Sequence, residues 1–115
     1  MGRDRQHSVV LHKFFDLADE ARIQSWGSCQ RVRLYVINAG PNLGSAFHSI
    51  GGMFATVYAD ADAKHALSGV STYPITPGQG VVFDAIIPHP GKYPIVDHNM
   101  RDMMIGAAGE LHVTP

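Results

Sequence analysis

From residue 30 onward the chain is a succession of short apolar runs, each stopped by glycine, proline or asparagine. That punctuation constrains the fold more than any other feature. Gln30-Arg-Val-Arg-Leu-Tyr-Val-Ile37 sets Arg31, Arg33 and Tyr35 on one side and Val32, Leu34 and Val36 on the other. A period of two marks a half-buried strand, because successive side chains of a strand point to opposite faces. Asn38-Ala-Gly-Pro-Asn42 is dense turn chemistry. Extended runs resume at Ser45–Ile50, Met53–Tyr58, Val70–Ile75, Val81–Ile87, Lys92–Asp97 and Glu110–Thr114. Between them lie Gly51-Gly52, a polar stretch from Asp60 to Gly69 that reads as a surface loop, Pro77-Gly-Gln-Gly80 and Pro88-His-Pro-Gly91. About seven short strands with turn signals every 8–12 residues or so predict an all-β sandwich with Greek-key connections.

The first 29 residues read as a lead-in to a domain over residues 30–115, within a single domain overall. Ser8–Phe15 is apolar enough for a strand. Asp16–Trp26 leaves two readings open, a short helix capped by Asp16 with Leu17, Ala18 and Ala21 on its face, or an irregular connection. No apolar region follows the charges of Met1-Gly-Arg-Asp-Arg5, so no signal peptide is expected at this start, and no run is long enough to span a bilayer.

Composition narrows the function. A net charge of -1 argues against a nucleic-acid or acidic-membrane partner. Charged residues make up only 17% of the chain, below the usual quarter, which predicts that other subunits cover part of the surface. One cysteine, Cys29, allows neither an internal disulfide nor a CxxC zinc pattern. Seven histidines in such a chain fit imidazole ligation or acid–base chemistry better than a structural zinc site.

Two histidines stand out. His98 ends the run Tyr93-Pro-Ile-Val-Asp97, beside a carboxylate able to orient an imidazole and raise its basicity. His48 lies between Phe47 and Ile50, where desolvation lowers an imidazole pKa and a nearby carboxylate would restore it, as suits a proton donor near neutral pH. The bland alternatives are a strand-end corner histidine and a core-edge histidine. His89 falls in a rigid exposed turn, His65 in the polar stretch and His112 on the last strand, and all three read as structural or solvated. His7 and His12 lie in the lead-in, where one of them could complete a site across an interface. Met100, Met103 and Met104 read as core filler rather than thioether ligands, and Arg31 and Arg33 as a solvated face. Gly51-Gly52 and Gly78-Gln-Gly80 lack the strand–loop–helix context of phosphate loops.

Val32–Leu43, Ser45-Ala-Phe-His-Ser-Ile-Gly51, Pro77-Gly78, Pro90-Gly-Lys-Tyr93, Val96-Asp-His-Asn99 and Gly106-Ala-Ala-Gly109 occur in an order and spacing that resembles the second, C-terminal cupredoxin domain of copper-containing nitrite reductases. The chain is more distantly similar to domains of two-domain multicopper oxidases. The resemblance covers residues 30 to 114 and implies a cupredoxin-like β-sandwich. It implies a type 2 copper at a subunit interface, with His98 as metal ligand and His48 as an active-site histidine or second ligand. Ile50 would cap the substrate pocket, and Asp97 joins the candidate site from its place beside His98. It further implies a homo-oligomer, trimer or hexamer, or a separate type 1 copper domain as electron donor, and a periplasmic or extracellular location.

The departures limit this. A type 1 blue site needs a cysteine thiolate, but Asn99 follows His98, and Cys29 lies before the matching strands, so no type 1 centre is expected. The family's first domain, with two of the three ligands of the catalytic copper, has no counterpart in these residues. Two rival functions follow: a non-catalytic structural or assembly module, and a copper carrier or store without turnover.

Overall fold

The computed structural model describes the backbone of residues 7–11 and 25–27 and all of residues 29–115. Ten strands appear among them: β1 (His7–Leu11), β2 (Ser25–Gly27), β3 (Arg31–Ile37), β4 (Ser45–Ser49), β5 (Phe54–Tyr58), β6 (Ala66–Val70), β7 (Thr72–Ile75), β8 (Gly80–Ile86), β9 (Gly91–Asp97) and β10 (Ala108–Thr114). A five-residue helix, α1 (Met100–Met104), joins β9 to β10. The strands form two five-stranded sheets, ordered β1-β3-β8-β5-β6 and β2-β10-β9-β4-β7. Pairing is antiparallel except where β1 joins β3 and β2 joins β10. The alternating runs therefore build a β-sandwich of the cupredoxin type. The short helix weighed for Asp16–Trp26 and most of the strand read at Ser8–Phe15 lie outside the described residues.

The core forms where the inward sides of both sheets meet. Val32, Leu34 and Val36 point inward from β3, and Phe47 points inward from β4. Phe47, Phe54 and Phe83 form one aromatic cluster, with ring centroids 4.6 to 5.6 Å apart, and all three are fully buried. One stacked and two tilted contacts at this spacing add to the burial of apolar area. The Asn38–Asn42 turn is as tight as its residues imply. Gly40 has φ of +76°, and a Cβ there would meet Pro77 Cβ at 3.1 Å, so any other residue would be both strained and crowded. Asn38 is buried and holds the loop from inside, donating to the carbonyls of Leu43 and Ile75.

Three expectations need correction. The polar stretch Asp60–Gly69 contains a strand, β6, which pairs with β5. Its first four residues are exposed, so no apolar alternation marks it, and the backbone ladder alone specifies it. Arg33 is not merely a solvated face. Its Nε and guanidinium nitrogen donate to the two oxygens of Asp84 at 2.7 and 2.9 Å, and Asp84 is buried. The guanidinium also lies 5.5 Å from the Tyr58 ring centroid. The hydrogen bond to Asp84 raises the Arg33 pKa beyond its already high ordinary value, so the guanidinium stays charged. Asp84→Asn keeps the shape and removes the charge. It is expected to cost about 1–2 kcal/mol, read from the midpoint of a urea unfolding curve. An unchanged midpoint would show that the pair contributes nothing. Finally, Met100 and Met104 are exposed, Met104 at 80%, so they are not core filler. Helix α1 is too short to bury more than one side, and it buries Asp102.

Candidate metal centre

The two histidines come together. Their ring centroids lie 5.1 Å apart in an edge-to-face arrangement. Strand register explains the meeting. Phe47 pairs with Asp97 and His48 with Val96 across β4 and β9. Phe47 and Asp97 point inward and are buried, so His48, one residue on from Phe47, points outward. His98 follows Asp97 and is exposed. Both imidazoles thus occupy the outer face of the second sheet at one strand end, half a chain apart in sequence.

The orientation of His48 is set from β7. Its Nδ1 lies 2.9 Å from the Ser71 carbonyl oxygen and 2.8 Å from Thr72 Oγ1. A carbonyl oxygen only accepts, so Nδ1 carries the hydrogen and donates to it. In the neutral ring Nε2 then holds the free lone pair, ready to take a proton or a metal. A carbonyl and a hydroxyl, not a carboxylate, stand at Nδ1. Sequence reading missed Thr72, because only the pairing of His48 with Thr72 reveals it. Thr72→Val keeps the β-branched shape and removes the hydroxyl. It is expected to cost about 1 kcal/mol in a urea melt while the Nδ1–H tautomer persists on the Ser71 carbonyl, as read by long-range proton–nitrogen NMR. A wild-type ring with its hydrogen on Nε2 would overturn this assignment.

The Asp97 hydrogen bonds go to the backbone and not to an imidazole. Asp97 is buried, and its Oδ1 accepts from the backbone amides of Ala46 and Asn99 at 3.1 and 3.0 Å. Ile50 lies two residues beyond His48 with its side chain exposed, and its amide donates to the Pro94 carbonyl at 2.8 Å. A cavity of about 320 Å³ lies beneath the 38–45 loop, lined among others by Leu43, Ser45, Asp97 and Asp102. Neither histidine lines it. It belongs to the inner side of the strand end and the histidine pair to the outer side.

The other candidates stand elsewhere. His89 is exposed in its turn, where its carbonyl accepts the Tyr93 hydroxyl at 2.8 Å. His65 lies 3.7 Å from the Asp62 carboxylate on the surface. His112 is bonded to Glu110 at 2.6 Å on β10. Cys29 is an exposed free thiol. The Asn99 side-chain Nδ2 donates to the Gly44 carbonyl at 3.2 Å. The side chain of His7, and the whole of His12, lie outside the described residues. Among the described residues, no three His, Cys, Asp or Glu side chains gather into a metal-holding group. No described helix is long and apolar enough to cross a membrane.

This sandwich, with two imidazoles presented at one strand end, is a cupredoxin-type domain. Copper-containing nitrite reductases of Neisseria meningitidis and Neisseria gonorrhoeae are each 38% identical to it over 85 residues, 73% of the chain. The chain spans about a fifth of the length of these curated relatives, 22% and 21% respectively. The solved copper nitrite reductase of Nitrosomonas europaea superposes with a TM-score of 0.77 at 36% identity, covering 78% of this chain and 32% of that one. A nitrite reductase of Thermus scotoductus shares the fold, with a TM-score of 0.78 at 24% identity over 98% of this chain and 31% of its own. A multicopper oxidase also shares it, at 0.74 and 22% identity over 87% of this chain and 34% of its own. No protein-family profile matches. The chain is homologous to a cupredoxin domain of the copper-containing nitrite reductases, and it shares its fold with the multicopper oxidases.

Proposed function

We propose that this domain, like the second domain of a copper nitrite reductase, contributes one half of a type 2 copper site at an interface between subunits. The observation that carries this reading is the His48–His98 pair, 5.1 Å apart on an exposed strand end, in a chain whose relatives are copper-containing nitrite reductases. Imidazole nitrogen is a good donor for copper. Two imidazoles are an incomplete set, which is why the site is assigned to an interface. His98 is the ligand, and His48 is the proton-holding group or a further ligand. A trimer or hexamer of this chain, or a separate domain carrying a type 1 copper, supplies the missing donors and the electron. The copper, when bound, supplies one-electron chemistry and a Lewis acid for an anionic oxidant.

Reduction of nitrite to nitric oxide consumes one electron and two protons and releases water. The chain's own contribution is to hold one of those protons. With Nδ1 committed to Ser71 and Thr72, a protonated His48 carries its second hydrogen on Nε2. By kinship with the nitrite reductases Ile50, exposed two residues away, would supply an apolar wall to the site, and a drier setting strengthens a charged hydrogen bond. By the same kinship the domain works in the periplasm or outside the cell.

The test is to titrate the protein with Cu(II), following stoichiometry by electron paramagnetic resonance and assembly by sedimentation velocity. A type 2 signal that grows with an oligomer supports the reading. A monomer that takes up no tight copper overturns it and leaves a structural module. Tight copper without nitrite turnover in the presence of an electron donor makes the protein a carrier or store.

A further inference from the structure

The chain leaves the sheet at His98, and the manner of leaving is unusual. Phe47 and Asp97 are paired across β4 and β9. In a continued antiparallel ladder the next pair, Ala46 and His98, would exchange two hydrogen bonds, each amide to the other's carbonyl. One of these is made, with the His98 amide donating to the Ala46 carbonyl at 2.8 Å. In place of the other, the Ala46 amide donates to Asp97 Oδ1 at 3.1 Å. The same oxygen accepts from the Asn99 amide at 3.0 Å. Helix α1 starts at the next residue, Met100.

We infer that Asp97 is a positioning residue that sets the spacing of the two histidines. One carboxylate oxygen replaces the missing rung of the ladder and ties the residue two before His48 to the residue just after His98. This frees the backbone to turn outward at His98, so the ring is exposed while its peptide stays locked to the neighbouring strand. The lock has further parts: the Asn99 amide side chain reaches the Gly44 carbonyl at 3.2 Å, and the Asp97 amide reaches the Ala107 carbonyl at 2.9 Å. Charge assistance and burial favour the carboxylate over a neutral acceptor here. Asp97 is 2% exposed and has no room to reach a substrate on the outer face. The inference rests on the copper-site reading only for the purpose of the spacing, not for the spacing itself.

The test therefore has a metal-free arm. In the wild type, ring-to-ring nuclear Overhauser effects are expected to link His48 and His98, whose ring centroids lie 5.1 Å apart. Asp97→Ala is expected to abolish them. Asp97→Asn, which keeps an oxygen and loses the charge, is expected to keep them but to speed amide exchange at Ala46 and Asn99 about tenfold. Asp102→Ala is the control, since that carboxylate is also buried, at 5% exposure, but its side-chain hydrogen bonds come from the adjacent Arg101. It is expected to lower the melting temperature and leave the ring contacts intact. If Asp97→Ala does not fold, the amide exchange in Asp97→Asn decides. Unchanged ring contacts in a folded Asp97→Ala, or unchanged exchange in Asp97→Asn, overturn the inference. In the metal arm, Cu(II) affinity is expected to fall about 10- to 100-fold in Asp97→Ala, as for loss of a group that orients a ligand. A wild type that binds no copper but shows these NMR changes removes the copper reading and leaves the positioning role standing.

Discussion

His98→Ala is expected to weaken Cu(II) binding by more than about 100-fold, the upper end of what loss of a merely supporting group costs a metal site. Its type 2 resonance signal should disappear, while folding is undisturbed. The second expectation makes the experiment clean. His98 is exposed, and its ring contact is to another imidazole, so its removal should change stability by no more than about 0.5 kcal/mol. His48→Ala provides the contrast. If His48 holds a proton rather than the metal, its loss should leave most of the copper signal and depress nitrite turnover with an external electron donor. Loss of the signal in both variants would make both residues ligands. A wild-type signal that survives in His98→Ala would sink the assignment of this strand end as the metal centre.

Phe83→Ala is expected to cost about 3–5 kcal/mol, as large aromatic truncations in a closed core do. Phe83 is fully buried and makes the two shortest ring contacts of the aromatic cluster, 4.8 Å to Phe47 and 4.6 Å to Phe54; the Tyr73 ring lies 6.2 Å away. It lies on β8, at the centre of its sheet, between β3 and β5. Removing it leaves a void bounded by both sheets, which close-packed side chains cannot collapse to fill. Small domains have about 5–15 kcal/mol in total. The midpoint of thermal unfolding should therefore fall by roughly 15 °C, measured by circular dichroism. A fall of only a few degrees would mean that the three rings do not form the shared core described above.

Much of this architecture was legible because burial follows a period of two. Val32, Leu34 and Val36 could be assigned to the core from alternation alone, and the structure buries all three. The turn at Asn38–Asn42 was legible because only certain residues tolerate its backbone, and Gly40 is held at positive φ. Alternation fails where a strand has no buried side. Strand β6 presents exposed side chains from Ala66 to Gly69 and is held by its ladder to β5, so nothing in its residues distinguishes it from a loop. The Arg33–Asp84 pair was hidden for a different reason. Its members are 51 residues apart and meet only because Arg33 and Asp84 are partners across β3 and β8.

The same division runs through the candidate site. His48 and His98 were identifiable from the sequence because each imidazole sits in or beside a strand run, within segments that resemble a copper-binding family, whereas the other histidines fall in turns, loops or unmatched segments. Their neighbours were not identifiable in this way. Thr72 orients His48 from the adjacent strand, and the buried Asp97 clamps the backbone instead of supporting the ring beside it. A side chain's chemistry is local and can be read one residue at a time. Its partner is decided by strand register, and register is a property of the packed sandwich: shifting β4 against β9 by a single residue would move His48 to the core face and separate the two rings.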